Sequence, residues 1–266
     1  MKRLKSQKNY LLITLDSCRY DTFVSARIPN IKSVGQVYKA FSNGNFTYPS
    51  HAAIFVGFTP GNPQLRETFV NPKFGKIFKI KTDGDYIGPG MDHVVLDGKN
   101  IVDGFKREGY VTIGTAAMDW FDPESESGRT LMSDFDHFLY SKTDFLKQKE
   151  YVIQKIAECK DKPKFVFMNI GETHVPYYFK GAPWSREDNP CVPFGSNNSF
   201  EKSSFRQGKC LEFIDSNIVE ILALFKKDNI IICSDHGDCW GEDGLWEHAI
   251  HHEKTVTVPL LFKLEK

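Results

Sequence analysis

Short apolar runs of strand length recur along the chain and are separated by stretches with helical periodicity. The runs read YLLITL, VTIGTA, KFVFMNI, NIIICS and VTVPLLF. Between them, Thr143 to Lys160 and Phe205 to Lys227 repeat apolar residues at helical spacing with charged residues between them, a pattern typical of amphipathic helices. Strands that alternate with helices predict an α/β fold of three layers, in which helices cover both faces of a mainly parallel central sheet.

The length of the chain favours one domain. A chain of 266 residues with 41% hydrophobic residues can fill one large core. Two stretches, near 61–100 and 181–204, lack regular periodicity and contain many Gly, Pro or polar residues. We interpret both as loop insertions over a cleft, because loops of this length are often functional. The domain is therefore predicted to span 1–266.

Composition and charge narrow the classes of partner and leave the oligomeric state open. Lys plus Arg equals Asp plus Glu at 34 each, so the net charge provides no long-range attraction for nucleic acid or anionic lipid. No apolar stretch approaches the roughly 20 residues that cross a bilayer, so no membrane span is predicted. The six cysteines are scattered without a CxxC pair, which favours reduced thiols and a cytoplasmic protein. A small, locally recognised substrate fits this composition best.

Polar residues with metal-binding groups follow three of the predicted strands. Asp16 comes directly after YLLITL, the GETH segment follows KFVFMNI, and Asp235 with His236 follows NIIICS. The carboxyl ends of parallel strands lie at one edge of a sheet, so these groups are expected to face one cleft. An adjacent carboxylate and imidazole at such an edge are suited to binding a metal ion.

Thr47 is the candidate nucleophile. It lies just before Pro49, and the segment PSHAAIFVG has the composition of a helix start. A hydroxyl at the amino end of a helix lies beside unpaired backbone N–H groups and a positive dipole end, which suit both an alkoxide and a phosphate. Considered alone, a Thr at such a position is more often just a helix cap, and the accompanying motif changes that interpretation.

Four motifs occur in a fixed order along most of the chain. They are LDSCRYD from Leu15, TYPSH from Thr47 with VGFTP shortly after it, GETHVPY from Gly171, and the long segment SDHGDCWGEDGLWEHAIHHEKTVTVPLLF from Ser234. In this order they resemble the motifs of the alkaline phosphatase superfamily, and within it those of the sulfatase and phosphonate monoester hydrolase branch.

The resemblance implies a metal site and roles for the residues around it. The metal ligands that it implies are Asp16, Thr47, Asp235 and His236. It also implies that Thr47 is the nucleophile and that His174 and His248 contact the transferring group or protonate the leaving oxygen. Which of His248, His251 and His252 lies in the site is left open. Tyr48 is a candidate to stack on a substrate or to fill core, and His51 is a candidate substrate contact because it stands where relatives have an Arg.

Departures from the branch pattern shape the expected chemistry. Sulfatases carry a Cys that is oxidised to formylglycine, and this chain has Thr47 in that position, so sulfate ester hydrolysis is disfavoured. Ser17 replaces the second of the paired Asp residues, which favours one divalent metal ion. The mixed oxygen and nitrogen donors favour Mn²⁺ or Zn²⁺ over Mg²⁺. A second metal ion would need further His residues and an acidic partner, for which Glu172 is the candidate.

The predicted function is metal-dependent hydrolysis of phosphate mono- or diesters, or of phosphonate esters, through a covalent phosphothreonine. The substrate would be a small-molecule or peptide-borne phosphate ester. One alternative is a phosphoryl or phosphoglycerol transferase, or a tailoring enzyme, that uses the same site. Another is a non-catalytic metal-binding relative, for which His51 in place of Arg is the main argument.

Overall fold

The computed structural model describes residues 7–57 and 100–265, and within them the dominant feature is a seven-stranded sheet. Its strand order is β2-β9-β6-β1-β5-β3-β4. The strands are β1 (Tyr10–Leu15), β2 (Tyr38–Phe41), β3 (Val111–Ala116), β4 (His137–Tyr140), β5 (Lys164–Ile170), β6 (Asn229–Ser234) and β9 (Thr257–Lys263). β1 pairs in parallel with β5 and β6, while β9 is antiparallel to β6 and to β2. The predicted α/β class with a mainly parallel sheet is confirmed.

Helices cover both faces of this sheet. One face carries α1 (Tyr20–Ser25), α2 (Pro29–Lys32), α6 (Phe145–Glu158), α7 (Phe200–Asn217) and α8 (Val219–Leu224), and the other carries α3 (Thr47–Val56), α4 (Ile101–Arg107) and α5 (Glu126–Met132). Leu11, Ile13 and Leu15 of β1 enter the first core, whereas Leu12 enters the second. Because successive strand residues point to opposite faces, an apolar run is what a strand buried on both sides requires.

The predicted helices form with shifted ends. The helix predicted from Phe205 begins at Phe200, because the Ser199 side chain caps it by accepting a hydrogen bond from the Lys202 N–H. Residues 181–199 are irregular, so the second predicted insertion ends where α7 begins. The first predicted insertion lies outside the described residues except for Asn100, which caps α4. Across 7–57 and 100–265, no helix is both long and apolar enough to cross a membrane.

A small hairpin extends the chain beyond β6. It consists of β7 (Cys239–Trp240) and β8 (Trp246–Glu247), and α9 (Glu253–Val256) then leads into β9. The hairpin turns at Gly241, whose φ of 100° is in the left-handed region that favours glycine. As a result the chain after β8 returns toward the end of β6, which brings His248 close to His236.

Candidate active site

The two predicted carboxylate ligands lie side by side at the carboxyl edge of the sheet. β1 and β6 are neighbours in register, with Leu15 opposite Ser234. Asp16 and Asp235 therefore leave adjacent strands at the same level. Donor atoms of Asp16, Asp235 and His236 all lie within 4.8 Å of one another, and the three side chains are fully buried.

Thr47 approaches this cluster from the helical layer. It is the first residue of α3, and its side chain is buried. Its Oγ1 lies 3.4 Å from Oδ2 of Asp16 and 3.4 Å from Nε2 of His236. The structure thus brings together all four residues that the sequence predicted as ligands, from three separate parts of the chain.

The electrostatics of this cluster favour a bound cation. Burial and the neighbouring charge of Asp16 raise the pKa of Asp235 well above its usual value, and Oδ2 of Asp235 has no hydrogen-bond partner among the described residues. Burial lowers the pKa of His236 to about 3, so its imidazole is neutral, as a metal ligand must be. Two buried carboxylates beside a neutral imidazole are costly unless a cation compensates them.

The spacing of the donors also fits a metal ion. Nε2 of His236 lies 3.7 Å from Oδ1 of Asp16 and 3.5 Å from Oδ2 of Asp235. These separations are longer than good hydrogen bonds. Ligands at metal distances of about 2.1 Å in a tetrahedron are separated by about 3.4 Å. The arrangement of Asp16, Thr47, Asp235 and His236 therefore suits one divalent cation.

Neighbouring groups hold the two carboxylates in place. Asn169 donates from Nδ2 to Oδ2 of Asp16 at 2.9 Å, and the Ser17 N–H donates to Oδ1 of Asp235 at 3.2 Å. Burial alone would raise the pKa of Asp16, but the nearby His174 and the Asn169 hydrogen bond hold it below its usual value. Asp16 is thus kept ionised and oriented, which is the usual function of groups that support metal ligands.

His51 lies beneath the site and not on its surface. Its ring is fully buried against Phe121, with Nδ1 2.8 Å from the Thr47 carbonyl oxygen and Nε2 2.9 Å from Oγ1 of Thr14. Burial lowers the pKa of His51, so the ring is neutral. With both nitrogens bonded and no exposed surface, His51 has no face for a substrate. The structure argues against the predicted substrate contact and places His51 as a support for α3.

Tyr48 is likewise part of the core. It is 3% exposed and its ring centre is 5.4 Å from that of Trp120. Burial raises the pKa of its hydroxyl to about 12. Of the two roles considered from the sequence, the structure favours core packing over stacking on a substrate.

His174 and His248 lie together beside the metal-binding cluster. Their ring centres are 5.0 Å apart, and the ring of His248 is 4.5 Å from that of His236. Each has its Nδ1 paired, His174 with the Val175 carbonyl oxygen and His248 with Oδ1 of Asp238, both at 2.8 Å. Both rings are only partly buried, so they can meet a ligand above the cluster.

The family follows from the match along the chain. The profile of the sulfatase family matches residues 8–264. The chain belongs to the sulfatase family. No curated protein sequence matches it significantly. Membership of this metal-dependent family agrees with the donor set at the edge of the sheet.

Solved structures with the same fold are distant in sequence. The C-terminal periplasmic domain of phosphoethanolamine transferase EptC from Campylobacter jejuni is 15% identical, with a TM-score of 0.64 over 97% of this chain and 80% of that one. The C-terminal periplasmic domain of EptC from Escherichia coli, in complex with Zn, is 12% identical, with a TM-score of 0.65 over 97% of this chain and 73% of that one. The lipoteichoic acid synthase LtaP from Listeria monocytogenes is 10% identical, with a TM-score of 0.57 over 97% and 65%. These likenesses establish the alkaline phosphatase superfamily fold.

The structure also resolves which histidines accompany the sulfatase-family site. His248 joins it, whereas His252 caps α9 through Nδ1 and pairs with Asp243 through Nε2, and His251 is exposed. Glu172 accepts a hydrogen bond from the Phe145 N–H at 2.7 Å. It belongs to neither of the ligand groups found among the described residues, which argues against Glu172 as the acidic partner of a second metal ion.

Sequence reasoning missed two residues that shape this sulfatase-family site. Asn169 lies inside the apolar run KFVFMNI, and an amide at the end of a strand gave no signal of its own. Asp238 was visible in SDHGD, but the sequence did not identify its partners. The structure pairs it with His248 and with Tyr177, which is 61 positions away.

Proposed function

We propose that this sulfatase-family protein is a metal-dependent hydrolase of phosphate mono- or diesters, or of phosphonate esters, and that Thr47 carries the covalent intermediate. The observation that supports this most is the placement of the Thr47 hydroxyl 3.4 Å from both Asp16 and His236, at the first turn of α3. A buried hydroxyl among metal-binding groups at a helix start suits an attacking nucleophile.

Asp16, Asp235 and His236 would hold one divalent cation together with Thr47, and Mn²⁺ or Zn²⁺ suits these donors better than Mg²⁺. Bound there, it would supply Lewis-acid stabilisation of negative charge and favour the ionised hydroxyl. Asn169 keeps the Asp16 carboxylate oriented, and His51 holds the Thr47 backbone. The first turn of α3 would offer unpaired N–H groups to a phosphoryl oxygen bound beside Thr47.

The proposed reaction has two steps. In the first, the ionised Oγ1 of Thr47 forms a bond to phosphorus, the bond from phosphorus to the leaving oxygen breaks, and His248 or His174 gives that oxygen a proton. In the second, a water molecule attacks phosphorus, the bond to Thr47 breaks, and the same imidazole takes a proton from the water. The ring of His248 lies 4.5 Å from that of His236, which supports a role for His248 in this proton transfer.

Transfer to an alcohol is the second candidate. It is supported by the structural neighbours, which include phosphoethanolamine transferases and a lipoteichoic acid synthase. Both outcomes share the first step and differ only in the molecule that accepts the group from Thr47. Turnover of a phosphodiester with and without glycerol or ethanolamine separates them, because a transferase yields a new phosphodiester and a hydrolase yields the monoester alone.

The test of the shared step compares wild type with Thr47→Ala and Thr47→Ser on 4-nitrophenyl phosphate mono- and diesters, with the metal content measured for each. We expect Thr47→Ala to lose about 10³-fold or more in kcat, and Thr47→Ser to keep activity within about tenfold, since it retains a hydroxyl. Mass spectrometry of quenched wild type should show a phosphorylated Thr47. Equal turnover by wild type and Thr47→Ala would refute the proposal.

A further inference from the structure

A chain of buried hydrogen bonds runs from the hairpin to His248. Nε1 of Trp240 donates to the Tyr177 hydroxyl oxygen at 2.7 Å, and that hydroxyl donates to Oδ2 of Asp238 at 2.8 Å. Oδ1 of Asp238 accepts a hydrogen bond from Nδ1 of His248 at 2.8 Å. Trp240, Tyr177 and Asp238 are at most 2% exposed. The carboxylate is therefore fixed from one side and directed at His248 on the other.

These hydrogen bonds argue against a second metal site at His236, Asp238 and His248, although the three side chains are close enough to form one. Both oxygens of Asp238 are already engaged, one by Tyr177 and one by His248. Nδ1 of His236 is bonded to the Gly237 carbonyl oxygen, and its Nε2 faces Asp16. Of these three residues only His248 keeps an unbonded donor, its Nε2, which is too few for a second cation.

The pairing determines which nitrogen of His248 can act. With Nδ1 bonded to Asp238, Nε2 is the nitrogen left to meet a substrate, and within the described residues it has no hydrogen-bond partner. A carboxylate that binds one ring nitrogen fixes both the tautomer and the orientation of the imidazole. His174 lies beside the same ring, with centres 5.0 Å apart.

We propose that Asp238, held by Tyr177, is a positioning residue that aims Nε2 of His248 at the leaving oxygen of the substrate. The inference rests on the proposed function and specifies one of its steps. As Oγ1 of Thr47 bonds to phosphorus, the bond to the leaving oxygen breaks, and the proton on Nε2 of His248 passes to that oxygen. The imidazole is left neutral, with Nδ1 still donating to Asp238.

The experiment measures single-turnover release of the leaving group from two phosphodiesters, one with an alkyl alcohol as leaving group and one with 4-nitrophenol. The alkoxide needs a proton and the nitrophenolate does not. We expect Asp238→Asn to slow release of the alkyl alcohol by about 10²-fold or more and release of nitrophenol by no more than about threefold. Tyr177→Phe keeps the ring and should give a smaller loss with the same selectivity.

A double-mutant comparison tests whether Asp238 acts through His248. His248→Ala should show the same selectivity, and adding Asp238→Asn to it should change the rate by less than about threefold, because the residue it positions is gone. Thermal unfolding and the metal-to-protein ratio of Asp238→Asn should stay close to wild type. Equal losses on both substrates, an added loss in the His248→Ala background, or a lower metal ratio would overturn the inference.

Failure of the inference and failure of the proposed function are distinguishable. If wild type turns over both esters and Thr47→Ala does not, the proposed function stands, and the Asp238 variants decide the inference. If wild type and Thr47→Ala release nitrophenol equally, the proposed function is wrong and the inference falls with it.

Discussion

Oδ2 of Asp235 lies 3.5 Å from Nε2 of His236, yet it accepts no hydrogen bond anywhere in the part of the chain that the structure describes. A fully buried carboxylate oxygen without a partner costs a few kcal/mol unless an ion fills the gap. The same carboxylate lies beside Asp16, whose charge adds repulsion. The relationship between Asp235 and His236 is therefore the main structural evidence for a cation at this edge of the sheet.

Asp235→Asn should weaken metal binding and remove most of the metal-dependent stability. Saturating metal at about 100 times its Kd stabilises a protein by about 2.7 kcal/mol, and the variant should lose most of this gain. The metal-free variant should be at least as stable as metal-free wild type, because one of two adjacent buried carboxylates is gone. Elemental analysis and thermal unfolding with and without Mn²⁺ or Zn²⁺ measure both effects.

Asp161→Asn is the matched control for this change, since Asp161 is an exposed carboxylate in the turn before β5, at the opposite edge of the sheet. It should leave the metal ratio and the metal-induced shift unchanged. A wild-type metal ratio and a full metal-induced shift in Asp235→Asn would contradict the assignment of Asp235 as a ligand.

Much of this site was predictable because parallel strands place their ends together. Asp16, Asp235 and His236 follow apolar runs whose bounds match β1 and β6, so their convergence follows from the sheet alone. Thr47 needed the motif, since a helix start by itself does not specify what it faces. β2 and β4 were missed because both are outer strands of only four residues. β2 is largely exposed and β4 is only partly buried, so neither contains a long apolar run.

The wrong prediction and the missed residues all concern polar side chains that tertiary contacts bury. His51 was expected at the substrate because of its motif position, but α3 packs against the sheet and turns that side chain inward, to Thr14 of β1 and Phe167 of β5. Asn169 gained its role from Asp16, 153 positions away, and Asp238 gained its role from Tyr177, 61 positions away, and from His248 after the hairpin. Hydrophobic periodicity locates elements, whereas such polar pairings depend on how the elements meet.

His51→Ala should destabilise the fold and lower kcat while changing KM little. The ring packs against Phe55, Phe121 and Phe167 and bonds to Thr14 and the Thr47 carbonyl oxygen. Loss of the packing and of two buried hydrogen bonds should reduce the free energy of unfolding by about 2–4 kcal/mol. Chemical denaturation and steady-state kinetics measure the two effects.

His51→Gln is the control that keeps a polar side chain in the same place, and it should recover part of both the stability and the kcat. The opposite pattern, a raised KM with unchanged stability and kcat, would show that His51 contacts the substrate directly, as its position in the motif suggested.

Glu172 should make the stability of the fold depend on pH. Burial raises its pKa to about 7, even though Oε1 accepts a hydrogen bond from the Phe145 N–H at the start of α6, and Oε2 has no partner in the described residues. The ordinary value is 4.5. The folded protein therefore keeps this proton at pH values where the unfolded chain has lost it. The stability that this proton contributes is fully present below about pH 4.5 and is lost as the pH rises through about 7.

Glu172→Gln should remove this pH dependence, since the amide keeps an oxygen for the Phe145 N–H and cannot ionise. A difference of about 2.5 pKa units corresponds to about 3 kcal/mol, so relative to wild type the variant should gain about that much between pH 4.5 and pH 8. Urea unfolding at both pH values measures it, with Glu150→Gln on the exposed side of α6 as the control. Parallel pH profiles for wild type and Glu172→Gln would show that Glu172 keeps its ordinary pKa of 4.5 in the folded protein. In that case burial at the start of α6 would not determine its protonation.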